Sequence, residues 1–305
     1  MTPSKKKPKI ALALGSGSAR GWAHIGVINA LSKIDIKPDI VCGTSIGALV
    51  GSMYATGQLE TLEKWILKLD KTEIIKYLDI GLLSGGGFVE GQSLIEFFRN
   101  HMGDHNIEEL DTQFACIATD LETGLEKWLQ SGSILDAVRA SMALPGLFTP
   151  VHKDQHWLVD GGLVNPVPIS ACRALGADKV IAVNLNGDIV GKHLQTKEEK
   201  SLFDTLTERS LVSEFTEHVK GSFPQWFEDK PKEPGLFDVL ASSINIMQDR
   251  ITRSRMAGDP ADVLLSPKLA HIGLMEFDRA DESIKAGELA VQQYLPHIKN
   301  MLDIE

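Results

Sequence analysis

The sequence predicts an α/β fold built on a parallel sheet, and two observations carry that expectation. Within the first 55 residues, short apolar runs alternate with segments of helical period in the order strand, helix, strand, helix. That order is the mark of parallel strands joined by right-handed crossovers. The composition, 43% apolar and 24% charged over 305 residues, is an ordinary globular balance that can fill a core of useful size.

The elements follow in order. Residues 9–14 form an apolar run closed by glycine and serine, read as a buried strand. Residues 20–34 carry apolar side chains at 22, 25, 27, 28 and 31, close to helical period, and residues 36–42 read as a second strand. A helix opens at Ser45 directly after a tight turn and runs to Ala55. Helices at about 59–70 and 91–102 flank the Gly85-Gly86-Gly87 loop. Strands at 114–121 and 125–129 are joined by a turn at Glu122-Thr123-Gly124, and the Ile134–Ser141 helix stops before Pro145. A short strand at 157–159 ends at Asp160-Gly161-Gly162, and another at 179–184 follows a helix started by proline. After 236 come a helix, a strand at Val263–Leu265 and a last helix near 281–297.

Between these parts the composition changes. Residues 188–234 are charged and poor in strand formers. Inside them Ser201 reads as an N-cap and Gly221 as a stop, with Phe203, Leu211, Phe215, Val219 and Phe223 on one face. This amphipathic helix is read as packed on the body; a lid or lipid-contacting helix, and a dimer contact, are the alternatives. The organisation expected is a catalytic core over 8–186, a charged insertion over 187–235, and a segment 236–305 that completes the same domain.

Several function classes are disfavoured. The net charge of −10, from 41 acidic and 31 basic residues, argues against a nucleic-acid binder and against steady binding to anionic lipid, though not against brief contact with a membrane surface. Cys42, Cys116 and Cys172 offer neither a CxxC pair nor an even count, so reduced buried thiols and a cytoplasmic setting are expected. The lysines at 5–7 and 9 precede an apolar stretch cut off by Gly15-Ser16-Gly17, which is too short for a signal peptide. No metal or other cofactor is expected, because no ligand-like spacing occurs.

Gly43-Thr44-Ser45-Ile46-Gly47 is a G-x-S-x-G pentapeptide set between an apolar strand and an apolar helix. Its logic is a sharp turn that holds the serine strained and exposed above the sheet edge, with small residues at both ends letting the turn close. A serine hydroxyl needs a base. The histidines at 101, 105, 152, 156, 193, 218, 271 and 297 lack the late strand–loop setting of an α/β-hydrolase, and only one strand precedes the elbow. Asp160 is the better partner: it ends a strand, and Gly161-Gly162 would place its carboxylate on a tight turn at the same sheet edge as Ser45. An ordinary carboxylate is a poor base at neutral pH, so a dry site is required. Gly15-Ser16-Gly17-Ser18-Ala19-Arg20-Gly21 lies between the first strand and first helix, where consecutive backbone N–H groups form an anion-binding nest. A dinucleotide fingerprint would need glycine where Arg20 stands.

In their order, the glycine-rich loop with Arg20, the Gly43–Gly47 elbow and Asp160-Gly161-Gly162 resemble the patatin-like phospholipases. The match runs over about residues 8–185 and includes Ala140-Ser141-Met142-Ala143-Leu144-Pro145-Gly146 and Leu163-Val164-Asn165-Pro166-Val167-Pro168. Within the family, the chain looks like the bacterial RssA-type branch. The resemblance implies a three-layer α/β/α patatin-like fold with a mostly parallel central sheet, and metal-independent hydrolysis of phospholipid or other acyl esters. It implies Ser45 as nucleophile, Asp160 as base, and Ser16, Gly17, Ser18 and Arg20 as the oxyanion-stabilising loop. The chain departs from the family at 16 and 18, where serines replace the usual glycines; serine tolerates positive φ poorly, which bears on catalytic strength. A regulatory or scaffold protein that keeps this fold is the alternative function, and self-association of the chain is left open.

Overall fold

The computed structural model describes residues 7–77, 91–187 and 236–304. The expected Gly85–Gly87 loop and the amphipathic helix of the 187–235 insertion lie outside the described residues, apart from Gly187.

The described elements run β1 (Ile10–Leu14), α1 (Ala23–Ser32), β2 (Ile40–Thr44), α2 (Ile46–Ala55), α3 (Leu59–Ile66), α4 (Lys71–Tyr77) and α5 (Gln92–Met102). Next come β3 (Gln113–Asp120), β4 (Glu126–Leu129), α6 (Ile134–Ser141), β5 (Val151–Lys153), β6 (His156–Asp160) and α7 (Ile169–Ala174). They close with β7 (Lys179–Val183), α8 (Leu236–Gly258), β8 (Val263–Leu265) and α9 (Ala280–Met301).

The strands form one sheet in the order β5-β6-β3-β2-β1-β7-β8, with β4 also paired to β3. β8, β7, β1, β2 and β3 pair in parallel, whereas β4, β5 and β6 are joined by antiparallel pairs. All five residues of β1 are buried, as befits a strand covered on both faces. Alternate residues divide between two cores. Ile10, Leu12 and Leu14 pack with α1, α2 and α6, while Ala11 and Ala13 pack with α7. The fold is therefore three-layered, with helices on both sides of a mostly parallel sheet.

α9 returns to pack along α1. The two helices approach so closely that a Cβ on Gly26 would lie 1.8 Å from the Ile284 carbonyl oxygen, and one on Gly287 would lie 2.0 Å from that of Ala23. The C-terminal segment thus supplies both a strand of the sheet and a helix of one layer.

One boundary and two elements depart from the sequence expectation most clearly. β2 begins at Ile40 rather than 36, because Pro38 cannot donate to a ladder and Asp39 is used to cap β1 through its Oδ2 on the Ile10 N–H at 2.8 Å. α4 is not among the expected helices; its start is marked by Asp70, whose Oδ1 accepts from the Thr72 and Glu73 amides, each at 2.8 Å. Nor is β5 among the expected strands, since three residues give no readable period. The three cysteines are free and buried. Among the described residues no helix is long and apolar enough to cross a membrane.

Candidate active site

The turn from β2 into α2 presents Ser45 at φ 57°, ψ −124°, a backbone conformation that non-glycine residues seldom adopt and that persists only where surroundings enforce it. The enforcement is local. A Cβ on Gly43 would lie 2.4 Å from the Gly47 carbonyl oxygen, and one on Gly47 would lie 2.2 Å from that of Leu14. Both ends of the pentapeptide must therefore lack a side chain. Ser45 is also tethered from α6, whose Ser141 Oγ accepts the Ser45 N–H at 2.9 Å.

Asp160 ends β6, which pairs with the last residues of β3 and so brings the carboxylate to the edge where β2 ends. Ser45 Oγ donates to Asp160 Oδ2 at 2.6 Å. The other carboxylate oxygen, Oδ1, accepts the Gly162 N–H at 2.7 Å. The backbone of Asp160 is held by the Ala143 carbonyl, which accepts its N–H at 2.9 Å, and by Thr119 Oγ1, which donates to its carbonyl at 2.8 Å. Asp160 is fully buried, and that burial pushes its carboxyl up to about 6 against the downward pull of the bonds from Ser45 and Gly162. Asp160 thus lies in a dry setting.

The glycine-rich loop lies beside this pair, and Ser16, Gly17 and Ser18 border the same pocket as Ser45 and Asp160. Its donors are unequal. The Ser16 N–H is spent on the Pro166 carbonyl at 2.8 Å, Ala19 N–H on Leu274 at 3.1 Å, and Arg20 N–H on Gly17 at 3.3 Å. The Gly17 and Ser18 amides have no acceptor among the described residues. The expected set of Ser16, Gly17, Ser18 and Arg20 therefore narrows to two available backbone donors.

Arg20 does not border the pocket. It is fully buried behind the loop, where its Nε donates to the Gly17 carbonyl at 3.1 Å and its Nη2 to Asn245 Oδ1 at 3.4 Å. In a trans peptide the carbonyl and the next N–H point oppositely. Drawing the Gly17 carbonyl toward Arg20 therefore turns the Ser18 N–H away from Arg20. Burial lowers the guanidinium to about 9, so it stays charged at neutral pH. His24 braces the loop similarly, its Nε2 meeting the Gly15 carbonyl at 2.7 Å; burial pushes it down to about 4 and keeps it neutral. Ser18 adopts φ 52°, so the positive φ anticipated as a difficulty is realised there, and its Oγ donates to the Leu274 carbonyl at 2.6 Å.

Apart from Asn245 and Gln248 the remaining walls are apolar, with Trp22, Leu49, Trp65, Phe98, Leu144 and Phe148 among them, and the space amounts to about 940 Å³ with its open mouth included. No histidine among the described residues borders it, nor does any group of three His, Cys, Asp or Glu there have metal-binding proximity.

Sequence reasoning misses Ser141, Ala143, Thr119, His24, Asn245 and Gln248. For the first two a signal exists in the 140–146 motif, whose purpose is to hold Ser45 and Asp160 from behind. The 163–168 motif works likewise, with Asn165 O accepting from Thr44 Oγ1 at 2.9 Å and Pro166 O from Ser16.

A patatin-like phospholipase family model matches residues 12–173. An uncharacterized NTE family protein of Mycobacterium tuberculosis is 32% identical over 94% of this chain and 91% of its own length, and one of Mycobacterium bovis matches to the same extent. A lysophospholipase of Emericella nidulans is 28% identical over 95% of this chain, which spans 18% of that much longer protein. These relatives bear the NTE name and do not single out the RssA-type branch.

Proposed function

The chain belongs to the patatin-like phospholipase family, and on that premise we propose that it hydrolyses lipid acyl esters with Ser45 as nucleophile and Asp160 as its single base. The 2.6 Å bond from Ser45 Oγ to a buried Asp160 carries the reading.

The geometry supports the following steps. Ser45 Oγ attacks the ester carbonyl as its proton passes to Asp160, whose raised basicity suits it to accept. The negative charge formed on the carbonyl oxygen is met by the Gly17 and Ser18 amides, donors set before the reaction begins. Asp160 then delivers the proton to the departing alcohol, leaving an acyl group on Ser45. Water repeats the sequence: it gives a proton to Asp160, its oxygen bonds the acyl carbon, and the acid leaves as Ser45 regains the proton. The apolar walls favour an acyl chain, and the name of the fungal relatives is consistent with a lysophospholipid as substrate. On α8, Val239, Leu240, Ile246 and Met247 are exposed while Ile244 borders the pocket, which supports brief contact with a lipid surface as substrate enters.

The test is turnover of a p-nitrophenyl ester by Ser45→Ala and Asp160→Asn, with folding checked by circular dichroism. Both should be inactive, and full activity in either would refute the reading.

A further inference from the structure

We propose that Gln248 is a substrate-contacting residue whose Nε2 donates a hydrogen bond first to the departing alcohol oxygen and then to the incoming water; this rests on the Ser45–Asp160 reading above. α8 turns Asn245, Gln248, Asp249 and Thr252 inward, all four buried, although a helix face that meets a core is ordinarily apolar. Asn245 and Gln248 border the pocket.

Gln248 is fixed by its oxygen. Oε1 accepts from Ser16 Oγ at 3.0 Å and from Asn186 Nδ2 at 2.9 Å. Nε2 has no acceptor among the described residues, although only 5% of the residue is exposed. The nitrogen is not among the fully enclosed unpartnered atoms, and in a pocket the substrate or water can supply its acceptor. The nitrogen packs against the turn after Asp160: a Cβ built on Gly162 would lie 2.4 Å from Gln248 Nε2 and 2.9 Å from Asp160 Oδ1. Nε2 thus shares the neighbourhood of Oδ1, the carboxylate oxygen that accepts the Gly162 N–H, and an amide oxygen there would be repelled, which assigns the donor end to this place.

The chemistry needs a donor there. The alcohol oxygen takes its proton from Asp160 as the acyl C–O bond breaks, so it sits beside Asp160 while negative charge grows on it. Water later occupies the vacated place, passes a proton to Asp160 and bonds the acyl carbon. One N–H beside Asp160 stabilises the first oxygen and orients the second, leaving a lone pair free for attack.

Gln248→Glu keeps an oxygen for Ser16 and Asn186 while losing the donor, but sets a second carboxylate near Asp160; Gln248→Met loses the oxygen and the donor without adding charge, so the slowed turnover must appear in both variants. At pH 8 each variant should still be labelled at Ser45 by a fluorophosphonate. Each should release p-nitrophenol from a p-nitrophenyl ester in a burst near one equivalent, since that alcohol leaves without help, and then turn over about tenfold more slowly than wild type. Wild-type steady-state turnover in Gln248→Glu would overturn the proposal, because Gln248 would then only brace Ser16. Labelling and burst lost together in both variants would overturn it equally. Absence of labelling at Ser45 in the wild-type protein would instead sink the Ser45–Asp160 reading itself.

Discussion

Replacing Asp160 with asparagine should abolish turnover and yet favour the folded state at neutral pH. Burial raises this carboxyl from 3.8 to about 6. Between those values the folded chain holds a proton that the unfolded chain has released, so stability contributed by this group is full below pH 4 and falls as pH rises through 6. Above 6 the folded protein carries the whole cost of a buried carboxylate. A shift of about two pKa units, at 1.36 kcal/mol each, sets that cost at about 3 kcal/mol. Asparagine stays neutral throughout and copies the shape of the protonated acid. The stability of Asp160→Asn minus that of wild type should therefore grow by about 2 kcal/mol between pH 4.5 and pH 8, the first ~1 kcal/mol of the cost having accrued below pH 4.5. Urea unfolding of both proteins at four pH values in that interval measures the difference while cancelling every other titrating group. A difference that stays flat, or that moves in favour of wild type with rising pH, would show that Asp160 is not held in a dry site.

Other perturbations follow from the same geometry. The kcat/KM of the wild-type enzyme should climb through an acid limb centred near pH 6 and level off above it, because Asp160 must be ionised to accept a proton; a limb near 4 would contradict the burial. Arg20→Met should lower kcat about 100-fold with KM little changed, since it releases the Gly17 carbonyl and misdirects the Ser18 amide; an unaltered kcat would remove Arg20 from the account. Gly47→Ala should destabilise the protein by about 3 kcal/mol or more, measured by urea unfolding, as its methyl would meet the backbone carbonyl of Leu14; wild-type stability would mean the turn is looser than described.

Much of the fold and the Ser45–Asp160 pair is legible in the sequence because the constraints that make them are local. Gly43 and Gly47 sit within two residues of Ser45 and must lack side chains for the turn to exist, so the pentapeptide records its own geometry. β1 and β7 read as strands because both of their faces are covered and their apolar runs are unbroken. The braces are illegible for the opposite reason. Gln248 reaches Ser16 across 232 residues with no pattern to announce its partner, and Ser141 stands in the 140–146 motif, yet its bond to Ser45 spans 96 residues. Arg20 stands out in the sequence but suggests the wrong place: a cation near an expected oxyanion reads as a ligand for it, whereas burial puts the guanidinium behind the loop. Serine at 18 reads as a fault in a glycine loop, and only the Leu274 carbonyl, 256 residues away, shows what its hydroxyl bonds in return.

Covalent labelling probes the pair most directly. Treated with a fluorophosphonate at neutral pH and mapped by mass spectrometry, the folded protein should take up one equivalent on the hydroxyl of residue 45, and Asp160→Asn should take up almost none. Modification spread over other serines, or none at all from a protein that still cleaves esters, would mean that the hydroxyl and carboxylate placed 2.6 Å apart are not where the reaction happens.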